Sequence, residues 1–362
     1  MILSPRLFVS AIAALVTMTF ALALARPGPA AGPAAGPAAG GRPETVAWAP
    51  AGLPAAPAVA RVSASRSGDL VPARGALLGA FTDLDGGWAG IRAAQRGVTL
   101  RESQLGRVYP IDHHYYPFDN PWPWPGPLER WDRAHGRIPL VTWQGADPDR
   151  IARGSLDRVI RDRARRVRAF GAPIFVRFAA EMNGLWSPMN ASRTQRDPSH
   201  YVAAWRHVVD VFRDAGASNA VFVWCPNAVD DPAADWNHWT NYYPGDGYVD
   251  WVGIDGYNWG DRGPWSPWES FGAIMQGVYD DYAGRKPIMI AETSSVESSS
   301  DPSAKASWIA AAGDWTKSHP AVAALVWFDT RKERNWRVDS SSPTRAAYRR
   351  LANDPYFRAQ TG

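Results

Sequence analysis

Two glutamates lie in segments of the chain that are otherwise apolar. Glu181 follows Phe178-Ala-Ala180, and Glu292 follows Ile288-Met-Ile-Ala291. A carboxylate in such surroundings is costly to bury unless it gains a partner. One explanation is structural, because Arg177 precedes Glu181 by four residues and a buried Arg–Glu network could hold one or both acids. The other is a catalytic pair, since cleavage of a glycosidic bond needs one carboxyl to protonate the leaving oxygen and a second to attack carbon or activate water.

Aromatic residues are unusually frequent in this sequence. It contains 19 Trp, 12 Tyr and 12 Phe in 362 residues, more aromatic surface than a core of this size requires. Indole rings can stack on sugar rings, although core packing explains a tryptophan equally well. Four of them end or follow apolar runs: Trp143, Trp186, Trp224 and Trp327. We expect Trp143, Trp186 and Trp327 to bind substrate and Trp224 to pack in the core.

The apolar runs themselves predict the fold. Eight short runs recur at fairly even intervals after residue 75, separated by stretches with helical spacing of apolar residues. This alternation is typical of parallel strands joined by helices, and eight units in about 285 residues predict an α/β protein with a (β/α)8 barrel. The predicted strands are 76–81, 106–111, 138–143, 174–180, 220–224, 249–255, 287–291 and 323–328, and the clearest helices are 150–170, 201–215, 268–282 and 303–317.

Polar side chains cluster where these runs end. Active sites of (β/α)8 barrels lie at the C-terminal ends of the strands, so the ends of the runs are the place to look for substrate contacts. Besides the two glutamates, His114 lies after the second run and Asn227 after the fifth. Both are expected to contact substrate.

We expect neither a metal nor another cofactor. His113 and His114 are adjacent, so on an extended segment their side chains point in opposite directions and do not share an ion. The single cysteine, Cys225, has no partner for a disulfide and supplies none of the cysteine pairs of zinc sites. A formal net charge of +4 is too small to indicate nucleic-acid binding.

The N-terminal part of the sequence predicts export. An apolar run over residues 7–25 follows a charged start and ends in small residues, which is typical of a secretory signal peptide. If it were not cleaved, the run is long enough to be a membrane anchor. Residues 26–75 are rich in Ala, Pro and Gly and predict a disordered linker. The domain division is therefore 1–25, 26–75 and a folded domain over 76–362.

Four motifs together resemble glycoside hydrolase family 26, which is best known for β-mannanases. They are Val176-Arg-Phe-Ala-Ala-Glu-Met-Asn-Gly-Leu-Trp186, Val223-Trp-Cys-Pro-Asn227, Asp250-Trp-Val-Gly-Ile-Asp-Gly-Tyr257 and Pro287-Ile-Met-Ile-Ala-Glu-Thr293. The resemblance implies Glu181 as general acid/base and Glu292 as nucleophile. It also implies support of the nucleophile by Arg177 and Tyr257, and a place for Trp186 in the substrate cleft.

The chain departs from the family pattern at one position beside the acid/base. The family usually has a histidine there, whereas this sequence has Ala180. Loss of that donor to the sugar is expected to alter activity or specificity. A non-catalytic carbohydrate-binding component of a cell-envelope polysaccharide system is therefore kept as an alternative.

The resulting expectation is a retaining, endo-acting glycoside hydrolase. Retention requires the two carboxyl groups to be about 5–5.5 Å apart. β-1,4-Mannan is the expected substrate from the family, with β-glucan and xylan as alternatives. We expect a monomer that is secreted, or membrane-anchored and facing outward, with a polysaccharide as its only partner.

Overall fold

The computed structural model describes residues 70–84, 90–260, 267–359 and 361. The predictions of a signal peptide or anchor, and of a linker up to residue 69, lie outside the described residues. No helix within the described ranges has both the length and the apolar character that a membrane span requires. Leu70, the first residue of the described ranges, lies six residues before the predicted boundary of the folded domain, and its side chain is buried.

Eight parallel strands close into a barrel in chain order, which confirms the predicted (β/α)8 fold. The barrel closes where β8 pairs with β1 over seven residues. The strands are β1 Leu77–Asp83, β2 Ile111–Tyr116, β3 Ile138–Trp143, β4 Ile174–Phe178, β5 Ala220–Trp224, β6 Trp251–Asn258, β7 Ile288–Ser295 and β8 Val322–Thr330.

Helices connect the strands around the outside of the barrel. They are α1 Ile91–Leu105, α2 Pro127–Ala134, α3 Pro148–Ala152, α4 Asp157–Phe170, α5 Ser199–Asp214, α6 Phe271–Tyr282, α7 Ala304–Ser318 and α8 Ser342–Asn353. The predicted helix 150–170 is divided into α3 and α4, because the chain turns at Gly154 with a φ of 76°.

The second predicted strand is wrong by five residues. Gly106 ends α1 in the left-handed conformation, with a φ of 74°, and residues 106–110 form the connection. The strand then begins at Ile111 and consists mainly of His and Tyr. An apolar run was therefore the wrong signal for β2.

Strand alternation separates two hydrophobic cores. Side chains at every second position fill the barrel interior, among them Leu77, Ile111, Leu140, Phe175, Trp251 and Met289. The intervening positions face the helices and form the larger outer core. Leu70 and Ala359 pack with the interior set near the N-terminal ends of the strands. The segments before β1 and after α8 thus cover this end of the barrel, which we call its floor. The opposite end of the barrel carries the polar residues.

Candidate active site

The chain leaves regular strand geometry at the end of β4, where Glu181 lies. Ala179 and Glu181 have φ angles of 45° and 55°, in the left-handed region that residues with a side chain rarely adopt. Neighbouring strands hold this turn, because Ala179 N donates to Trp143 O and Glu181 N donates to Cys225 O, both at 2.8 Å. Such strain persists only where the surroundings impose it, and here it fixes the direction of the Glu181 side chain.

Glu181 is half-buried and is held by two neutral donors. Trp186 Nε1 donates to its Oε2 at 2.8 Å, and Asn227 Nδ2 donates to its Oε1 at 2.7 Å. Neither partner is a counter-ion, and the carboxyl lines an open cavity. This group is therefore free to exchange a proton with a bound molecule.

The segment Glu181-Met-Asn-Gly184 also positions these two donors. Asn183 Nδ2 donates to Asn227 O at 2.8 Å, and Asn227 N donates to Asn183 Oδ1 at 2.9 Å. The Trp186 ring lies directly against Gly184, where a Cβ atom would come within 2.3 Å of Cε2 of the indole. These contacts explain why residue 183 is an asparagine and residue 184 a glycine.

Glu292, on β7, has a different environment. It is only 6% exposed. The Tyr257 hydroxyl donates to its Oε2 at 2.5 Å, and Arg177 Nη2 donates to its Oε1 in a buried ion pair. A carboxylate with a fixed cation and a hydroxyl donor is stabilised in its ionised form.

Arg177 donates to three oxygen acceptors through three different nitrogens, and its Nη1 also donates to Cys225 Sγ at 3.6 Å. Besides the bond to Glu292, its Nε donates to Thr142 Oγ1 at 2.7 Å and its Nη1 donates to Asp255 Oδ2 at 2.5 Å. Burial acts to lower the pKa of Arg177, but Asp255 and other acidic neighbours raise it above its usual value. Burial, opposed by Arg177, raises the pKa of the Asp255 carboxyl to about 7. The structural alternative of an Arg–Glu pair thus applies to Glu292 and not to Glu181.

Both glutamates line one cavity of about 580 Å³ at the C-terminal end of the barrel. This volume is within the range of small-molecule sites. Its aromatic lining consists of Phe81, Tyr115, Trp186, Tyr257, Trp259, Phe328 and Trp336. Trp336 packs against Tyr257 and Trp259, with ring centroids 5.2 and 4.9 Å apart. The cavity joins two carboxylates to flat apolar walls, which suits a sugar ring.

Two of the predicted substrate-binding tryptophans lie elsewhere. Trp143 is fully buried and donates from Nε1 to Phe118 O at 3.1 Å, and Trp327 is 1% exposed and packs on Tyr348. Both face the outer core, so the expectation that they contact substrate is wrong. Trp186 lines the cavity, whereas Trp224 is buried, as expected of a core residue.

His114 also differs from the expectation. It borders the cavity but is only 4% exposed, and its Nε2 bonds to Asp132 Oδ2 of α2 at 2.7 Å. Its side chain lies on the helix side of β2 because its neighbour His113 occupies the inward position. The geometry shows a histidine anchored to a helix rather than one directed at the glutamate pair.

Asp112, His114 and Asp132 bring possible metal ligands together. Their ligand atoms lie within 4.8 Å of one another, and all three residues are buried. The His114–Asp132 bond already joins two of them, and Arg137 Nη1 lies 3.9 Å from the other oxygen of Asp132. These contacts occupy His114 Nε2 and one oxygen of Asp132.

Sequence reasoning missed Asp255 and Thr142. Both lie on the same inward face as a residue that was identified, Asp255 two positions before Tyr257 and Thr142 beside Arg177 in the β3–β4 register. The two-residue alternation of strands was the available signal.

Comparisons with known proteins give three results. Residues 106–276 match the sequence profile described as Glycosyl hydrolase family 26. Endoglucanase H of Acetivibrio thermocellus is 34% identical over 271 residues, which is 73% of this chain and 30% of that protein. Mannan endo-1,4-beta-mannosidase A and B of Caldalkalibacillus mannanilyticus is 32% identical over 93 residues, 24% of this chain and 17% of that protein. The chain thus spans less than a third of either relative.

Solved structures support the fold. The catalytic domain of the Bacillus sp. JAMB-750 GH26 endo-beta-1,4-mannanase superposes with a TM-score of 0.58 at 18% identity, covering 81% of this chain and 90% of that one. At this identity the match supports the barrel architecture alone.

A (β/α)8 barrel with two strand-end carboxylates in one cavity is the arrangement on which glycoside hydrolases of this fold are built. The profile match covers the chain from β2 to the middle of α6, including Glu181 and Tyr257, and the relative with 34% identity aligns with 73% of the chain. The chain belongs to glycosyl hydrolase family 26, as the resemblance of its motifs implied.

Proposed function

We propose that this protein is a retaining, endo-acting β-glycanase in which Glu181 is the general acid/base and Glu292 the nucleophile. The observation that carries the proposal is the difference between the partners of the two acids. Glu292 has a cation and a hydroxyl donor, which suit an ionised nucleophile, and Glu181 has only neutral donors, which leave it able to hold a proton. Two carboxyl groups with these separate roles are what double displacement requires.

The proposed reaction has two steps. Glu292 attacks the anomeric carbon while Glu181 gives its proton to the departing glycosidic oxygen, forming a covalent glycosyl-enzyme. Glu181, now ionised, then removes a proton from water as the water attacks the same carbon, and Glu292 leaves as a carboxylate. Arg177 and Tyr257 stabilise Glu292 at the start and the end of the cycle, and Trp186 and Asn227 hold Glu181 in place.

We propose a β-glucan as the first candidate substrate. Endoglucanase H is the relative with the largest aligned share of this chain, and its name describes action on a glucan. β-1,4-Mannan, the expectation from the family, is the second candidate, favoured by the shorter match to a mannosidase. Ala180 beside the acid/base is half-buried and adds no hydrogen-bond donor, so the site has lost a polar contact to the sugar.

The test is turnover on a panel of polysaccharides. The protein is incubated with mixed-linkage β-glucan, β-mannan and xylan, and new reducing ends are measured, with Glu292→Ala as the matched inactive control. We expect products from β-glucan first, and NMR of the earliest product should show a β anomer. Binding to several polysaccharides without products from any would instead support the non-catalytic carbohydrate-binding alternative. An α anomer as first product would contradict retention.

We also propose that the chain is exported, either secreted or anchored with its barrel outside the cell, and that it acts as a monomer. The charged start and apolar run before residue 26 support export. N-terminal sequencing of protein recovered from culture medium should give a chain that starts after Ala25. Recovery only inside the cell would oppose this proposal.

A further inference from the structure

Two side chains that the proposed reaction does not use lie directly behind Arg177. Thr142 on β3 and His113 on β2 both line the inner wall of the cavity. Thr142 Oγ1 lies 2.7 Å from Arg177 Nε and 2.6 Å from His113 Nε2. Because Arg177 Nη2 bonds to Glu292, these groups form a continuous hydrogen-bond chain that ends at the nucleophile.

Two features of this chain are fixed by chemistry. A guanidinium can only donate, so Thr142 Oγ1 accepts from Arg177 Nε. Burial, together with the Arg177 charge, lowers the pKa of His113 well below its usual value, so its ring is neutral. Thr142 Oγ1 and His113 Nε2 share a hydrogen bond of 2.6 Å, in which the tautomer of the ring decides which atom donates.

The His113 ring is held rigidly at the far end of the chain. It packs against Phe81 and Tyr115, with ring centroids 6.1 and 4.4 Å away. Its Nδ1 is buried and has no hydrogen-bond partner in the part of the chain that the structure describes. The bond to Thr142 is thus what directs the polar side of the ring.

Arg177 is consequently fixed at two nitrogens. Thr142 holds Nε, and Asp255 holds Nη1. Since the guanidinium is planar and rigid, two fixed nitrogens determine where the third, Nη2, points. That third nitrogen is the one that contacts Glu292.

We propose that Thr142, oriented by His113, is a positioning residue for the nucleophile. Its hydroxyl keeps Arg177 from turning toward Asp255 and so keeps Nη2 on Glu292. The inference rests on the proposed role of Glu292. It adds a residue that acts on Glu292 through Arg177 and has no hydrogen bond of its own to Glu292 in the described part of the chain.

The test compares Thr142→Val with Thr142→Ser. Valine has the shape of threonine without the hydroxyl, and serine keeps the hydroxyl. On an aryl β-glycoside with an activated leaving group, Thr142→Val should lower kcat by about 10- to 100-fold, the effect of one hydrogen bond to a charged group, with KM within about 3-fold. Its acid limb of rate against pH should move to higher pH, because Glu292 loses stabilisation of its charge. Thr142→Ser should restore both to within about 3-fold.

A second pair of variants tests the role of His113. Gln carries an amide group that can hydrogen-bond to Thr142, whereas Leu carries no polar group, so His113→Gln should retain more kcat than His113→Leu. This comparison also serves if Thr142→Val does not fold. An unchanged kcat and acid limb in Thr142→Val, or equal losses in the Val and Ser variants, would overturn the proposal.

A measurement without substrate separates this inference from the proposed function. In ¹⁵N-labelled protein the Arg177 Nε–H signal, assigned with Arg177→Lys, should be protected from exchange in the parent and in Thr142→Ser, and lost in Thr142→Val. If the parent cleaves no polysaccharide but shows this pattern, the hydrogen-bond chain stands and the proposed function fails. If the signal is equally protected in all of them, the chain does not hold Arg177.

Discussion

At the scale of single residues, the site is defined by what each glutamate contacts. Glu292 is bonded to Arg177 and Tyr257, and Glu181 to Trp186 and Asn227. The chemical types of these donors, one cation and three neutral groups, support the proposal that the two carboxyls act in different steps. The assignment therefore depends on contacts rather than on position in the sequence alone.

Separate alanine variants of the two acids should behave differently. Glu181→Ala should keep turnover of substrates with activated leaving groups, because these need no proton, and added azide should raise its rate by replacing water. Glu292→Ala should lose nearly all activity on every substrate, since it removes the attacking group. Steady-state kinetics with activated and unactivated aryl glycosides measures both. Equal losses in the two variants on activated substrates would show that the roles are misassigned.

At the scale of elements, the turn after β4 determines the position of Glu181, the proposed acid/base. The left-handed conformation of Glu181 and the close contact of Gly184 with the Trp186 ring lie within four residues of one another. The loop supplies Glu181 and its donor Trp186. It also supplies Gly184, whose missing side chain leaves room for the Trp186 ring. A substitution in this loop should therefore lower kcat/KM strongly while it changes Tm only slightly.

Gly184→Ala tests this expectation. The new Cβ would lie 2.3 Å from Trp186 Cε2, so the indole must move and its bond to Glu181 is lost. We expect kcat/KM to fall by about 10-fold, the effect of one hydrogen bond to a charged group, with a small change in Tm. The matched control is Gly284→Ala, where no atom lies within 4 Å of the new Cβ. Parent-like kinetics in Gly184→Ala would show that the contact does not position Trp186.

Strand periodicity predicted most of the architecture and part of the site. The limits of β3 and β5 agree with the predicted ones, because both strands are apolar on both faces. The predicted limits of β2 were displaced, because its His and Tyr residues do not form an apolar run. They contact Asp132, Thr142 and the cavity instead. Trp143 and Trp327 were misplaced because strand-end position was considered without the alternation that turns each of them toward the helices. The partners of Arg177 depend on register between strands, which a single sequence does not specify.

At the scale of the whole molecule, buried acids behind β2 affect stability. Burial raises the pKa of Asp132 to about 7, although a hydrogen bond with Asp112 and the charge of Arg137 act to lower it. Burial also raises the pKa of Asp112 well above its usual value, reinforced by the charge of Asp132. Because the folded state holds these protons more tightly than the unfolded state, both acids add stability at low pH. The contribution of Asp132 is present below about pH 4 and lost as pH rises through about 7.

Urea unfolding at several pH values measures this effect. In Asp132→Asn the fall in unfolding free energy between pH 5 and pH 8 should be smaller than in the parent by a few kcal/mol, since one pKa unit corresponds to about 1.4 kcal/mol. Asp314→Asn, at a side chain that is 78% exposed, is the control and should leave the pH dependence unchanged. A steeper fall in Asp132→Asn would contradict the raised pKa.

Leu70 and the two glutamates lie at opposite ends of the barrel. The Leu70 side chain packs at the floor, near the N-terminal ends of the strands, whereas Glu181 and Glu292 lie at the opposite rim. The described chain therefore starts at the end of the barrel that is farthest from the two glutamates. If the segment before Leu70 anchored the protein to a cell, the cavity would face away from the cell surface. Long glycan chains could then reach it from outside.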